Sequence, residues 1–404
     1  MIKLDSYKNK AGSSEAGCGL LSANSNVMRI TRFLIYTVEI PMRFTVSHTL
    51  AERKSAKNIL VCAVGDNGIA GWGESCPRSY VTGETLETVK RDLESDILPE
   101  MMRGRFSSFD DVTELLTSML DTLERDRQAA FCAAELALLD LAGKIFGTSV
   151  GSVIGPVVRR KVRYSGVIAA SGPVKARKYA KMMRLFRFRH VKVKVQKSLE
   201  VNLQLLEIVR SIMGSQVSIR IDANCAWQPD EAIRQIEAMS KFVLAGVEQP
   251  VAADDYEGMA QVTAAKLVPV VADESLCSVS DAEKLIEQNG CDIFNIRVSK
   301  CGGLINSFAI YRKAVDAGLT CQLGAQVGET ALLSAAGRHI ATRCRSIKWC
   351  EGSFGKLLLR RDIARPGMTI GLGGWARSLN RPGLGVEPKR KRMSEFEVDV
   401  VEVS

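Results

Sequence analysis

Histidine is scarce in this chain. His48, His190 and His339 are the three in 404 residues, which argues against a histidine-rich metal centre. The eleven cysteines are an odd number, scattered singly with no C-x-x-C, so neither a zinc ribbon nor a disulfide frame is expected. Cys62, Cys132 and Cys321 lie in apolar runs and read as reduced core thiols of a cytoplasmic protein. No apolar run approaches the roughly 20 residues that cross a bilayer. Residues 1–27 lack the continuous apolar core of a secretory signal. Aromatic residues are only 6% and no nucleic-acid module is visible. The net charge of +10, much of it between Arg159 and Lys194 and in Lys389–Arg392, therefore reads as a solvated basic face. Neither nucleic acid nor membrane is expected as a partner.

What is present is an ordinary globular composition, 46% hydrophobic and 25% charged, in a chain long enough for two domains. Residues 1–27 are Ser/Asn/Gly-rich and read as a poorly ordered tail, with Met28 directly before the first strand-like run. Residues 28–155 mix strands (28–40, 59–64, 69–72) with helical stretches (85–102, 109–122, 128–146), and Asp66-Asn67-Gly68 is a hairpin signal. Alternation of strand and helix begins at Lys161. Strand candidates are 162–168, 190–195, 217–222, 245–249, 268–272, 292–297, 320–324 and 346–350. The fold class is α/β: a (β/α)8-type barrel over residues 156–365, an α+β domain before it, and a tail, 366–404, that returns to that first domain.

Three of these strands end in an acid: Asp222, Glu248 and Asp273, at steps of 26 and 25 residues. That is about one strand-loop-helix unit, so the three carboxylates converge at the barrel mouth. Converging carboxylates repel unless a cation lies between them, and all-oxygen ligation favours a hard ion such as Mg2+. One unit upstream stands His190-Val-Lys192-Val-Lys194. Residues two apart on a strand share a face, so both lysines point into the barrel. Crowding and burial are expected to lower a lysine pKa, which is what a general base needs. A metal that holds a carboxylate beside a lysine is suited to removing an α-proton.

With these motifs the chain resembles the enolase superfamily, specifically its muconate-cycloisomerase-like subgroup of mandelate racemases and muconate lactonizing enzymes. The resemblance spans roughly residues 28–390. It includes the Lys-x-Lys pair, the spaced acids, Asn295-Ile-Arg-Val-Ser-Lys-Cys-Gly-Gly303, Gly73-Glu-Ser-Cys-Pro-Arg-Ser-Tyr-Val-Thr-Gly-Glu84 and Glu135-Leu-Ala-Leu-Leu-Asp140. It implies a capping domain built from residues 28–150 and the C-terminal tail, with loops around Val46–Lys57 and Arg78–Glu84 closing over the mouth. It also implies Mg2+, with Mn2+ as a substitute, and a small carboxylate substrate. A homo-oligomer is expected.

One departure matters. The subgroup's second catalytic lysine falls 24 residues after the third acid, where this chain has Arg297. A guanidinium stays protonated and is a poor base. No histidine lies on the seventh strand to replace it, and Lys300 is three residues on. With one usable base, Lys194, the expected reaction is cycloisomerisation or β-elimination. Racemisation or epimerisation of an amino-acid derivative or dipeptide is the alternative, and a metal-binding relative without turnover is the rival outside catalysis. Lys192 would stabilise the carboxylate. Arg297 is either a partner of Glu248 or Asp273 or a contact to substrate. Asn224, Gln326 and Glu351 are substrate-binding candidates. Gly302-Gly303 reads as a tight turn into a helix, or as a phosphate cradle.

Overall fold

Asp66-Asn67-Gly68 closes the hairpin expected of it. Gly68, at φ 76°, bonds back to Gly65, and the Asn67 side chain accepts from the Ile69 N–H. The arms are Ala51–Gly65 and Ala70–Ser75, and Ala51–Gly65 pairs antiparallel with the long strand Met28–His48. This computed structural model describes residues 27–48 and 51–404. The tail expected over 1–27 lies outside the described residues, except for its last residue, and so do residues 49–50. Much of the loop expected over Val46–Lys57 is instead paired strand, with Val46 opposite Arg53. The last strand, Glu397–Val403, adds to the free edge of Met28–His48 and brings the C-terminus into the N-terminal sheet.

The helix Gln128–Ile145 lies across this sheet and is almost wholly buried. Gly73 makes that approach possible: a Cβ there would stand 2.0 Å from the Ala133 carbonyl oxygen. The helix also reaches the barrel. Glu135, fully buried, accepts the N–H groups of Leu304 (2.6 Å) and Ile305 (2.9 Å), the exposed N-terminal donors of helix Leu304–Asp316. Gly303, at φ 101°, leaves room for that carboxylate, since a Cβ would sit 2.1 Å from Glu135 Oε2. The Gly302-Gly303 pair therefore receives an internal carboxylate. Glu74 does the same for helix Ala331–Arg343, accepting from Thr330 and Leu333, and Glu84 accepts from Ala129 and Ala130. Burial pushes Glu74 and Glu84 up to about 7 and Glu135 up to about 8, against the lowering effect of their N–H donors.

Eight parallel strands form the curled sheet of the barrel: Gly166–Ile168, His190–Lys194, Ser218–Asp222, Leu244–Glu248, Val270–Ala272, Ile293–Ile296, Thr320–Leu323 and Ile347–Cys350, in sequence order. Its ends meet through a parallel bridge between Tyr164 and Cys350. The first strand expected, 162–168, is two strands. Lys161–Arg163 turns away to pair antiparallel with Trp375–Arg377, and the barrel takes only Gly166–Ile168. The eighth helix is a single turn, Gly355–Leu358. Helix Pro173–Leu185 exposes Lys175, Arg177, Lys178, Lys181 and Arg184 to solvent, a large part of the chain's positive excess. The ten cysteines among the described residues are free thiols, nine of them buried. No described helix is long and apolar enough to cross a membrane.

Candidate active site at the barrel mouth

Register places the candidate residues. Lys194 pairs with Asp222 and Asp222 with Glu248, while Val271, two residues before Asp273, also pairs with Glu248. The three acids thus stand at the ends of three adjacent strands, all fully buried. Lys192 pairs with Arg220 one layer deeper. Lys192 Nζ is 2.8 Å from Glu248 Oε1, 2.7 Å from Glu351 Oε2 and 3.3 Å from Asp222 Oδ2. Burial alone would lower its pKa, as crowding was expected to. The carboxylates of Glu248, Glu351 and Asp222 outweigh burial and hold it above the ordinary lysine value. Three carboxylates within 3.3 Å thus hold Lys192 in its charged form in this arrangement.

Lys194 is different. Its side chain is 16% exposed and donates to Asn224 Oδ1 at 2.6 Å, with Asp222 Oδ2 at 3.5 Å. Asn224, at φ 46°, is anchored by its own N–H to Asp222 Oδ1 and by Nδ2 to Glu274 Oε1, both at 3.1 Å. It is thus a positioning group for the ammonium. Burial opposes ionisation of Asp222, but Lys194, Lys192 and Arg297 hold its carboxyl well below the usual range.

Arg297 closes the opposite side. Its Nη2 is ion-paired with Asp273 Oδ2 and lies 3.8 Å from Glu248 Oε1, and its Nη1 donates to Gln326 Oε1 at 3.4 Å. Arg297 is thus paired with the carboxylates of Asp273 and Glu248. Gln326 is a support of Arg297, and its N–H is held by Glu329 Oε1 at 2.6 Å. Glu351 is buried between Lys192 and the guanidinium of Arg220. Lys300 is fully buried and lies against one of the three acids: it donates to the Asp273 backbone oxygen, to Asp273 Oδ1 (3.1 Å) and to the Asn295 carbonyl (3.0 Å).

Asp222, Glu248 and Asp273 are the expected ligands of a divalent ion, and they stand at adjacent strand ends with cations among them. Among the described residues no three His, Cys, Asp or Glu side chains are grouped to hold one ion. Lys192 and Arg297 neutralise Asp222, Glu248 and Asp273 in its place. The donor chemistry suits a hard divalent ion, because buried carboxylate oxygens from adjacent strand ends face cations here, Asp222 Oδ2 meeting Lys192 and Lys194 and Asp273 Oδ2 meeting Arg297. Sequence reading missed Arg220, Asn295 and Gln322. Asn295 Nδ2 (3.2 Å) and Gln322 Nε2 (2.8 Å) both donate to Glu248. Arg220 stands two residues before Asp222 on the same strand, and Asn295 two before Arg297, which directly follows its strand, a parity that would have found them.

The cap covers the mouth. Arg78, buried, donates to the carbonyls of Val327 (2.7 Å) and Lys57 (3.3 Å), and Asn58 donates to Glu74 and to the Gly328 carbonyl. The segments around Arg78 and Lys57 thus hold the loop after the seventh barrel strand.

A capped β/α barrel with acids at three successive strand ends and a lysine pair on the strand before them is the architecture of an enolase-like enzyme. The chain belongs to the enolase superfamily, in its mandelate racemase/muconate lactonizing enzyme group. The family's N-terminal domain matches residues 31–155, and the enolase C-terminal domain-like region matches residues 175–392. The chain is 26% identical to the N-succinyl-L-Arg/Lys racemase of Bacillus cereus over 92% of its own length and 98% of that protein's. The crystal structure of that racemase superposes with a TM-score of 0.86, covering 93% of this chain and all of the other. A dipeptide epimerase from Cytophaga hutchinsonii, solved with Mg and D-Ala-L-Val, superposes with a TM-score of 0.84 at 25% identity, covering 93% of this chain and 100% of that one. Muconate cycloisomerase 1 of Acinetobacter baylyi is 25% identical over 84% of this chain and 91% of that protein. The racemase and the epimerase each match more of the chain than this cycloisomerase does, which favours the alternative reaction over the one first expected.

Proposed function

We propose that this chain moves the α-proton of an N-acylated amino acid or dipeptide on one face, with Lys194 as the acid/base. The observation that carries this reading is the placement of a lysine ammonium and an arginine guanidinium at opposite sides of the barrel. Lys194, aimed by Asn224, stands on strand two, and Arg297 follows the end of strand six. The substrate class is supported by relatives named for N-succinyl-arginine and lysine and for dipeptides. Asp222, Glu248 and Asp273 would hold a divalent ion, Mg2+ or Mn2+, which when bound polarises the substrate carboxylate and makes the α-proton more acidic.

Lys192 stays charged and offsets the carboxylates beneath the substrate. Arg297 adds positive charge that stabilises the enolate but returns a proton poorly. Exchange on the Lys194 face therefore outruns inversion. Cycloisomerisation is a second reading favoured by the same arginine, because it needs proton delivery on a single face. None of the three relatives named above is a dehydratase.

The test is incubation with N-succinyl amino acids and dipeptides in D2O with Mg2+. Proton NMR follows loss of the α-hydrogen, and chiral chromatography follows inversion. One stereoisomer is expected to exchange faster than it inverts. Inversion as fast as exchange would overturn the one-face assignment, and lactone formation from muconate without amino-acid exchange would favour the second reading.

A further inference from the structure

Arg297 meets the proposed metal ligands themselves. Its Nη2 pairs with Asp273 Oδ2, an oxygen that otherwise accepts no hydrogen bond, and lies 3.8 Å from Glu248 Oε1. Both carboxylates are fully buried, and each keeps a second cation if Arg297 leaves, Lys300 on Asp273 (3.1 Å) and Lys192 on Glu248 (2.8 Å). A doubly charged ion at those oxygens would stand within about 4 Å of the guanidinium, where like charges repel strongly. Metal entry therefore requires Arg297 to move.

A place to move to exists on the loop after the seventh strand. Nη1 already donates to Gln326 Oε1, and Glu329, buried and within electrostatic reach of Arg297, is fixed by the Gln326 N–H. Burial pushes Glu329 up to about 8 in this arrangement, and a displaced guanidinium beside it would favour its charged form.

We infer that Arg297 is an internal counter-cation that competes with the divalent ion for Asp273 and Glu248, and that Gln326 and Glu329 receive its guanidinium when the ion binds. This rests on the metal-site reading above. A site closed by arginine for most of the time binds its ion more weakly in proportion to the open fraction. Lysine at the same position has a shorter, more compact charged group and would close the site less well.

The test is Mn2+ binding to the purified full chain without substrate, by electron paramagnetic resonance and by the Mn2+-induced rise in Tm. Arg297→Gln is expected to bind about tenfold more tightly or better, as a site closed some nine-tenths of the time would. Arg297→Lys should fall between. Glu329→Gln, which removes the receiving carboxylate and no proposed ligand, should bind more weakly than the unaltered chain. Equal or weaker binding by a folded Arg297→Gln protein would overturn the competition while leaving the metal site standing. No Mn2+ binding by either folded protein would overturn both. If Arg297→Gln does not fold, the Lys and Glu329 variants decide: tighter and weaker binding respectively supports the inference, and no change in either overturns it.

Discussion

Lys194 Nζ donates to Asn224 Oδ1 across 2.6 Å, and Asn224 is itself tied to Asp222 and Glu274. The geometry of the proposed base therefore depends on a side chain one strand away. Lys194→Ala is expected to abolish α-proton exchange while leaving the melting profile of a folded protein. Asn224→Ala should keep exchange but slow it by about 10- to 100-fold, the usual result of releasing a catalytic group from its aligned position. Deuterium uptake by both variants at saturating substrate is the measurement. Undiminished exchange in Lys194→Ala would remove its role.

Glu351→Leu should be far more damaging than Glu351→Gln. Glu351 is buried between Lys192 and Arg220, and leaving two buried cations short of a carboxylate is expected to cost about 3–5 kcal/mol. Glutamine keeps a hydrogen-bond acceptor and should cost about 1–3 kcal/mol. Urea unfolding of the two variants would show it, and equal, small losses would mean that Glu351 does not balance that layer of the barrel.

Gly303→Ala tests how the cap is fixed to the barrel. An added Cβ would meet the Glu135 carboxylate at 2.1 Å, on a backbone at φ 101° that alanine adopts poorly. The carboxylate would be pushed off the N–H groups of Leu304 and Ile305, leaving buried donors unpaired at about 1–3 kcal/mol each. Limited proteolysis at the cap–barrel boundary should become faster. A Glu135→Ala, Gly303→Ala double variant should lose much less than the two single losses added together, because they break one contact.

Much of this architecture was legible because barrel strands carry a period-two pattern and each unit repeats near 25 residues, so the acids at 222, 248 and 273 marked three strand ends in register. The first strand was set too long because the antiparallel partner of Lys161–Arg163 is Trp375–Arg377, far along the chain. Glu135 and Glu74 stood in recognisable motifs, but their role as caps of barrel helices depends on how two domains meet, which spacing does not encode. The same holds for Lys192. Crowding by Lys194 suggested a lowered pKa, and only the positions of Glu248, Glu351 and Asp222 show the opposite. Arg297 was visible as a departure from the family pattern, while its pairing with Asp273 is a tertiary fact.

The buried caps make stability depend on pH with a definite sign. Glu135 is raised to about 8, and Glu74 and Glu84 to about 7, because burial disfavours their charged forms. Between the ordinary carboxylate range near 4.5 and these raised values, the folded chain holds protons that the unfolded chain has released. Their contribution is therefore fully present below about pH 4.5, declines as pH rises, and is lost above about pH 8. Each group adds a slope of at most about 1.4 kcal/mol per pH unit inside its own window. Glu135→Gln cannot ionise and keeps an amide oxygen to accept from Leu304 or Ile305, so its melting temperature should fall less between pH 6 and pH 8.5 than that of the unaltered chain, by about the share of one group. The comparison is best made by calorimetry in buffers of equal ionic strength. Parallel pH profiles for the two proteins would show that Glu135 is already ionised at pH 6 and that the N–H groups of Leu304 and Ile305 outweigh its burial.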